Sequence, residues 1–404
     1  MTSTVPMIKK RAKLLLFVVL MAVAFRSLGM SIVDIGLPSF VLSLAGSLTS
    51  YGIIIGIFSI TQSIFQFPYA YASDKFGRRK IVIIGIGIYI LGTFLCFTAQ
   101  NVIQLIFYRA IQGIGAYTSI LQAIIGDIFE KERQGMGMGY YSLAMNIGYF
   151  GGIVIGGYIS NYLGFRSIFS ISGILIIIIA FFLFIVLKAD NRKDSSNFNI
   201  DTKKMSLNLK NVKTLIRSNQ FKFSVTLNCI RWFLFGGIVA YLIWVLQETF
   251  NLDQIQTSYV LIGIVALYVV TIFLSSIILD KKGPRKMMMM GQSLVIIFGI
   301  PFFIEFLIYN LFIFIILCSL IGIGIALFDP AGNALLLKVI DDIRPELKGS
   351  GIGFNNAIGF FCGAIAPMIF SPIGEINIFA PFYMIITLMV FSLFITYKCI
   401  NKGY

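Results

Sequence analysis

The sequence predicts an all-α membrane protein of twelve transmembrane helices, arranged as two pseudo-symmetric six-helix bundles. Three observations predict it: long apolar runs recur along the chain, positive charge collects on alternate connections, and the second half repeats the first. Of the 404 residues, 58% are hydrophobic and 12% charged, which is more apolar side chain than a water-facing surface can hold. The expected solvent is therefore a lipid bilayer. Its hydrocarbon core of about 30 Å is crossed by about 20 apolar residues in helical form. Twelve such runs follow one another, over residues 13–37, 48–71, 81–99, 102–126, 138–160, 167–187, 222–248, 256–279, 287–307, 311–336, 350–372 and 377–399.

The charges are placed as a multi-pass protein requires. The net charge of +15 would suggest a nucleic-acid partner in a soluble chain, but here its distribution is topological and no nucleic acid is expected. All but four of the 32 Lys and Arg lie in the termini, in connections after even-numbered spans, or at the adjoining helix ends. The four exceptions are Arg166, in a connection after an odd-numbered span, and Arg26, Arg109 and Arg231 inside spans. Positive charge is retained on the cytoplasmic side, so both termini are expected in the cytoplasm and the chain in the plasma membrane. The first apolar run, from Leu14, is long and has no small-residue cleavage site after a short core, so it reads as the first span. Five cysteines show no metal-ligand spacing and histidine is absent, so no metal site and no cofactor are expected.

Taken in order, the spans carry few embedded polar groups. The first holds Arg26 and Asp34 ahead of Leu37-Pro38. Eight residues separate the two charges, about 12 Å along a helix axis, too far for a direct pair though near enough to line one cavity. The second span ends in Ala70-Tyr71-Ala72-Ser73-Asp74-Lys75-Phe76-Gly77-Arg78-Arg79. The fourth contains Arg109-Ala110-Ile111-Gln112-Gly113-Ile114-Gly115. A charge in an apolar helix is costly unless it faces a wet cavity or a counter-charge, which makes Arg109 a functional candidate. The fifth has small residues at every fourth position, Gly148, Gly152 and Gly156, a spacing that lets helices approach closely. Asp34 and, second, Asp329 are the acids expected to take up and return a proton. Pro330, beside Asp329 in the tenth span, frees a backbone carbonyl and predicts a break or kink. Glu248 and Glu305 fall near helix ends, where solvation is cheap. Arg231, near the start of the seventh span, either lines a cavity or reaches back to the surface.

A polar stretch divides the chain into residues 1–187, a linker over 188–219 and residues 220–404. Within the linker, Val212 to Arg217 has the pattern of a short interfacial helix. The halves repeat each other. Asp74 to Gly85 aligns with Asp280 to Gly291, and half of the twelve positions are identical, among them Gly77 with Gly283 and Arg79 with Arg285. Gly135, Gly137 and Gly139 return as Gly349, Gly351 and Gly353, and Gly148 and Gly152 as Gly359 and Gly363. Parallel six-helix repeats of this kind are the architecture of facilitator-type transporters.

On these residues the chain resembles the major facilitator superfamily. The turn after the second span is similar to the superfamily signature Gly-x-x-x-Asp-Arg/Lys-x-Gly-Arg-Arg/Lys, with Ala70 in place of the leading glycine. The resemblance implies a conformational latch formed by Asp74, Gly77, Arg78 and Arg79, and by Asp280, Gly283 and Arg285 in the second copy. Arg109 to Gly115 resembles the Arg-x-x-Gln-Gly-x-Gly motif of proton-coupled members. Gly148 to Gly157 is similar to the antiporter pattern Gly-x-x-x-Gly-Pro-x-x-Gly-Gly, with Ile153 where that pattern has proline. Phe25 to Met30 and Thr61 to Pro68 are similar to the YajR-like group among the drug:proton antiporters.

That resemblance implies a secondary transporter, expected as a monomer, that expels small hydrophobic or drug-like compounds on the proton gradient by alternating access. Asp34, Arg26, Arg109, Gln112, Asp329 and Arg231 are its expected proton-coupling and cavity residues. A proton-coupled importer or facilitator of a sugar, organic acid or other nutrient remains open, favoured by Ile153 and by three embedded arginines against two aspartates. An enzyme is not expected. Asp341-Asp342 is the only adjacent acidic pair in the sequence, with no companion cluster to hold a divalent ion.

Overall fold

The computed structural model describes residues 4–129, 134–189, 214–344 and 347–400. Its regular elements among these residues are helices. They are α1 (Thr4–Ser43), α2 (Leu48–Phe76), α3 (Arg78–Thr98), α4 (Val102–Ile114), α5 (Thr118–Ile128), α6 (Gln134–Leu163), α7 (Ser167–Ala189), α8 (Asn219–Glu248), α9 (Gln254–Lys282), α10 (Pro284–Gly299), α11 (Glu305–Ile308), α12 (Leu311–Ile343), α13 (Lys348–Ile376) and α14 (Ala380–Lys398). The chain falls into two compact units, Met1–Phe198 with Leu252–Tyr259, and Asn199–Asn251 with Val260–Tyr404. The linker expected over 188–219 lies mostly outside the described residues. Of its predicted interfacial helix, the turn at 214–216 is described, and Leu215 there is buried against Gly351.

Eleven helices among the described residues are each long and apolar enough to cross a bilayer. The remaining predicted span, 102–126, is two shorter helices, α4 and α5, separated at Gly115, Ala116 and Tyr117. The expected single span over 102–126 is thus corrected to a pair of helices. Packing explains it. A Cβ on Gly115 would meet the backbone of Tyr89 and Gly85 on α3, and the Gly115 N–H turns to the Gln112 carbonyl, 3.1 Å away.

Two other boundaries differ from expectation. The ninth span, expected to reach 307, ends at Gly299 and continues as a 3-10 turn over Ile300–Phe303 before α11. The tenth does not break at Pro330: α12 runs through it. Proline has no N–H to give the carbonyl four residues earlier, and that carbonyl, on Ala326, instead accepts from the Ser275 hydroxyl of α9 at 3.3 Å.

Helix starts follow local chemistry. Asn101 caps α4 by accepting from the Gln104 N–H at 2.9 Å, and Asn310 caps α12 by accepting from Phe312 and Ile313. One residue joins α2 to α3 and one joins α9 to α10. These are Gly77 (φ 94°) and Gly283 (φ 75°), in a region that side-chain-bearing residues rarely adopt. Arg79 then lies 5.1 Å from the Phe184 ring of α7. Its repeat, Arg285, donates to the Thr396 and Tyr397 carbonyls of α14 at 3.2 and 2.6 Å. Each basic turn is thus tied to the last helix of its own half.

Within unit 1, α1 and α6 pack through the predicted glycine stripe. A Cβ on Gly148 would collide with the Ala24 carbonyl, one on Gly152 with Ser31 and the Leu28 carbonyl, and one on Gly156 with the Ile32 backbone. Unit 2 repeats the contact, with Gly359 and Gly363 of α13 against Trp232 of α8. Backbone approach this close gives van der Waals contact over a long seam, which is the main source of helix association where lipid removes the hydrophobic drive.

Gly151 and Gly152 are adjacent, and a Cβ on Gly151 meets nothing within 4 Å. Gly152→Ala is expected to destabilise by about 1–3 kcal/mol through overpacking, while Gly151→Ala leaves stability unchanged or slightly raised. Thermal unfolding of the two purified variants checks this.

Candidate functional site

The embedded charges form one constellation in each unit. In unit 1, Arg109 on α4 is 4% exposed. Its Nη1 donates to Gln112 Oε1 at 2.7 Å, three residues along the same helix face. Gln112 Nε2 donates to Thr93 Oγ1 of α3 at 2.8 Å, and that hydroxyl donates to the Tyr89 carbonyl at 2.7 Å. The chain of donors leaves the Gln112 amide a single orientation. A Cβ on Gly92 would collide with the Gln112 backbone, so the absence of a side chain there lets α4 approach α3 closely enough for this network. Phe58 of α2 covers the guanidinium, its ring centroid 4.5 Å away.

Asp34 of α1 accepts from the Tyr149 hydroxyl of α6 at 3.4 Å and interacts electrostatically with Arg109. The fully buried Tyr51 lies in the field of both. Asp34 and Arg26 do not pair. Arg26 instead lies between aromatic rings, its guanidinium carbon 5.8 Å from the Tyr89 centroid and 5.7 Å from that of Tyr117. Tyr117 belongs to the interruption between α4 and α5, so the break brings an aromatic face to Arg26.

In unit 2, Arg231 of α8 and Asp329 of α12 form an ion pair. Arg231 is 8% exposed, so the reading in which it reaches back to the surface is corrected: its charge is met inside the unit. Asn228 Oδ1, one turn earlier, accepts from Nε at 3.1 Å and from Nη2 at 2.6 Å. Asn228 in turn donates to the Asn355 carbonyl of α13 at 3.2 Å. Tyr268 of α9 donates to Asp329 Oδ2 at 3.3 Å. Four helices therefore meet on one neutralised pair.

The structure joins Arg109 to Gln112 with Asp34 in the field of the arginine, sets Arg26 on neighbouring rings, and pairs Arg231 with Asp329. The side chains of Asp74, Asp280 and Glu305 lie outside the described residues. Thr93, Tyr149, Tyr89 and Tyr117 escaped sequence reasoning because each meets its partner across helices. Asn228 had a signal: it precedes Arg231 by three residues, as Arg109 precedes Gln112, a spacing that places side chains on one helix face.

A model of the Major Facilitator Superfamily matches residues 19–367. The inner membrane transport protein YajR of Escherichia coli is 28% identical over 153 residues, covering 38% of this chain and 34% of that protein. With YajR and with uncharacterized transporters of Buchnera aphidicola, the match spans less than half of each relative's length. The multi-drug resistance efflux pump PmrA of Streptococcus pneumoniae is 24% identical over 84% of each chain. Among solved structures, a bacterial homologue of the human lysosomal transporter Spinster, inward-facing and unoccupied, superposes with a TM-score of 0.75 at 14% identity. The match covers 96% of this chain and 94% of that one, a likeness of fold.

Removing one partner of a buried ion pair leaves the other uncompensated, at a cost of about 3–5 kcal/mol, whereas an apolar replacement of both is often near neutral. Arg231→Met and Asp329→Leu are each expected to lower the unfolding temperature strongly, and the double variant to recover most of the loss. Thermal unfolding of the three purified variants measures the coupling.

Proposed function

The chain belongs to the Major Facilitator Superfamily, and from that membership we propose that it is a proton-coupled secondary transporter, working by alternating access of its two halves, with Asp34 as the proton-carrying group. The family is one of carriers, not enzymes. The observation that carries the reading is the Asp34 constellation: an acid on α1 held by Tyr149, in the field of an arginine that is itself fixed by other groups. A proton on Asp34 changes the Asp34–Arg109 couple from neutral to singly positive. Because Gln112 and Thr93 hold Arg109 in either state, the change appears as local electrostatics available to a bound solute rather than as collapse of the site.

Expulsion of small hydrophobic or drug-like compounds is the direction favoured by the likeness to PmrA across most of both chains. A second reading, proton-coupled uptake of an organic acid, is favoured by one observation: in unit 1, Arg26 and Arg109 outnumber Asp34. The cytoplasmic placement of both termini and residence in the plasma membrane belong to the same proposal, as does the latch at the Gly77 and Gly283 turns.

Transport by purified protein in liposomes tests the reading. Flux of an ethidium-type or carboxylate probe under an imposed pH gradient is expected to follow that gradient, outward and inward respectively distinguishing the two directions. Asp34→Asn is expected to cut gradient-driven flux by more than about tenfold, on the order of a 1.4 kcal/mol loss. Flux indifferent both to the gradient and to Asp34→Asn contradicts the assignment.

A further inference from the structure

Arg26 differs from the other two embedded arginines in that no carboxylate balances it among the described residues. It is 8% exposed and its Nε, like that of Arg109, is buried without a hydrogen-bond partner; what sets it apart is the lack of an acid or amide on its guanidinium among the described residues. Arg231 has a carboxylate and Asn228; Arg109 has Gln112 and the field of Asp34. For Arg26 the neighbours are the rings of Tyr89 and Tyr117, with Tyr141 of α6 in its field. Aromatic faces attract a cation but leave its charge whole. A buried charge with no counter-charge is costly to keep, and unit 2 shows how that cost is removed, by pairing Arg231 with Asp329.

We propose that Arg26 is the subsite for the anionic group of the solute, and that the solute is an organic monoanion: a carboxylate carried on an aromatic or apolar body. The proposal rests on the reading of the chain as a transporter and names the class of its substrate. A guanidinium presents a planar fork of N–H donors that matches a carboxylate in two parallel hydrogen bonds. The tyrosines set beside it, Tyr89 and Tyr117, pack edge to face with centroids 5.8 Å apart and are 3% and 1% exposed, so the surroundings of the guanidinium are aromatic and hold no competing carboxylate among the described residues. Charge and ring surface sit together at the point where α4 and α5 part. The arriving anion supplies the counter-charge that the described residues withhold from Arg26, so a neutral analogue of the same shape gains no such pairing.

The test is thermal unfolding of the purified full-length chain in a nonionic detergent, with naphthalene carboxylate and with its neutral carboxamide as probes. The carboxylate is expected to raise the unfolding temperature in a saturable way, and the carboxamide at equal concentration to do much less. In Arg26→Gln the half-saturating carboxylate concentration is expected to rise by about tenfold or more, and in Arg26→Lys by less, because charge remains while the fork is lost. Equal effects of the two probes on the native chain overturn the proposal, as does no effect of the carboxylate or an unchanged effect in Arg26→Gln. Phosphatidylglycerol reproducing the Arg26-dependent effect where the carboxylate fails would assign the site to lipid instead. If Arg26→Gln does not fold, the comparison of acid with amide on the native chain and on Arg26→Lys decides. Binding is read without a pH gradient or flux, so its absence leaves the proton-coupling reading standing, and a failure of coupling leaves the binding result standing.

Discussion

A charge inside a bilayer has no water to solvate it, and whatever meets that charge must come from the protein or from a ligand. This constraint sorts the embedded groups. Arg231 and Asp329 satisfy each other, with Asn228 and Tyr268 completing the shell, and such a pair fixes helices in place. Arg109 is tied by a neutral amide and only influenced by Asp34. In the proposed function, that leaves the acid to change its charge while Gln112 holds the base. Among the described residues, Arg26 is met by the rings of Tyr89 and Tyr117. The three situations grade from structural to functional, and the grading follows from how much of each charge is already answered.

The two units share backbone packing but not polar chemistry. Gly85 and Gly115 bring α3 and α4 together in unit 1 as Gly291 and Gly324 bring α10 and α12 together in unit 2. Gly77 and Gly283 make the same turn, and Arg79 and Arg285 reach the same helix of their own half. A close backbone contact tolerates no side chain, so these positions are fixed once the helices pack. Embedded charges carry no such restriction and have diverged. Unit 1 holds its charges on α1 and α4, with an acid apart from its bases, and unit 2 holds a closed pair on α8 and α12.

How far the sequence disclosed this depends on whether a feature is local. Apolar runs, the glycine stripe of α6 and the two glycine turns were legible because each is written in consecutive or regularly spaced residues. The interruption at Gly115 was not, because it goes with the close approach of Gly115 to Tyr89 and Gly85 of α3, a tertiary contact. Pro330 predicts a break or kink; the helix runs through it, and the carbonyl it frees, on Ala326, accepts from Ser275 of another helix. Arg109 and Gln112 were found together by their spacing, whereas Thr93 and Tyr149, which complete the same site, meet it only through tertiary contact. Arg231 alone is compatible with a cavity or a surface position, and what decides between them is Asp329, far along the chain and paired with it.

The central claim is that Asp34 changes protonation inside a basic surrounding that does not move. Infrared difference spectroscopy of the purified chain, recorded between acidic and alkaline buffer, observes a buried carboxyl directly through its protonated C=O stretch. The account predicts such a band in the native protein, absent in Asp34→Asn and accompanied by little change in the amide backbone signal. A spectrum in which the band is missing, or persists undiminished in Asp34→Asn, contradicts it.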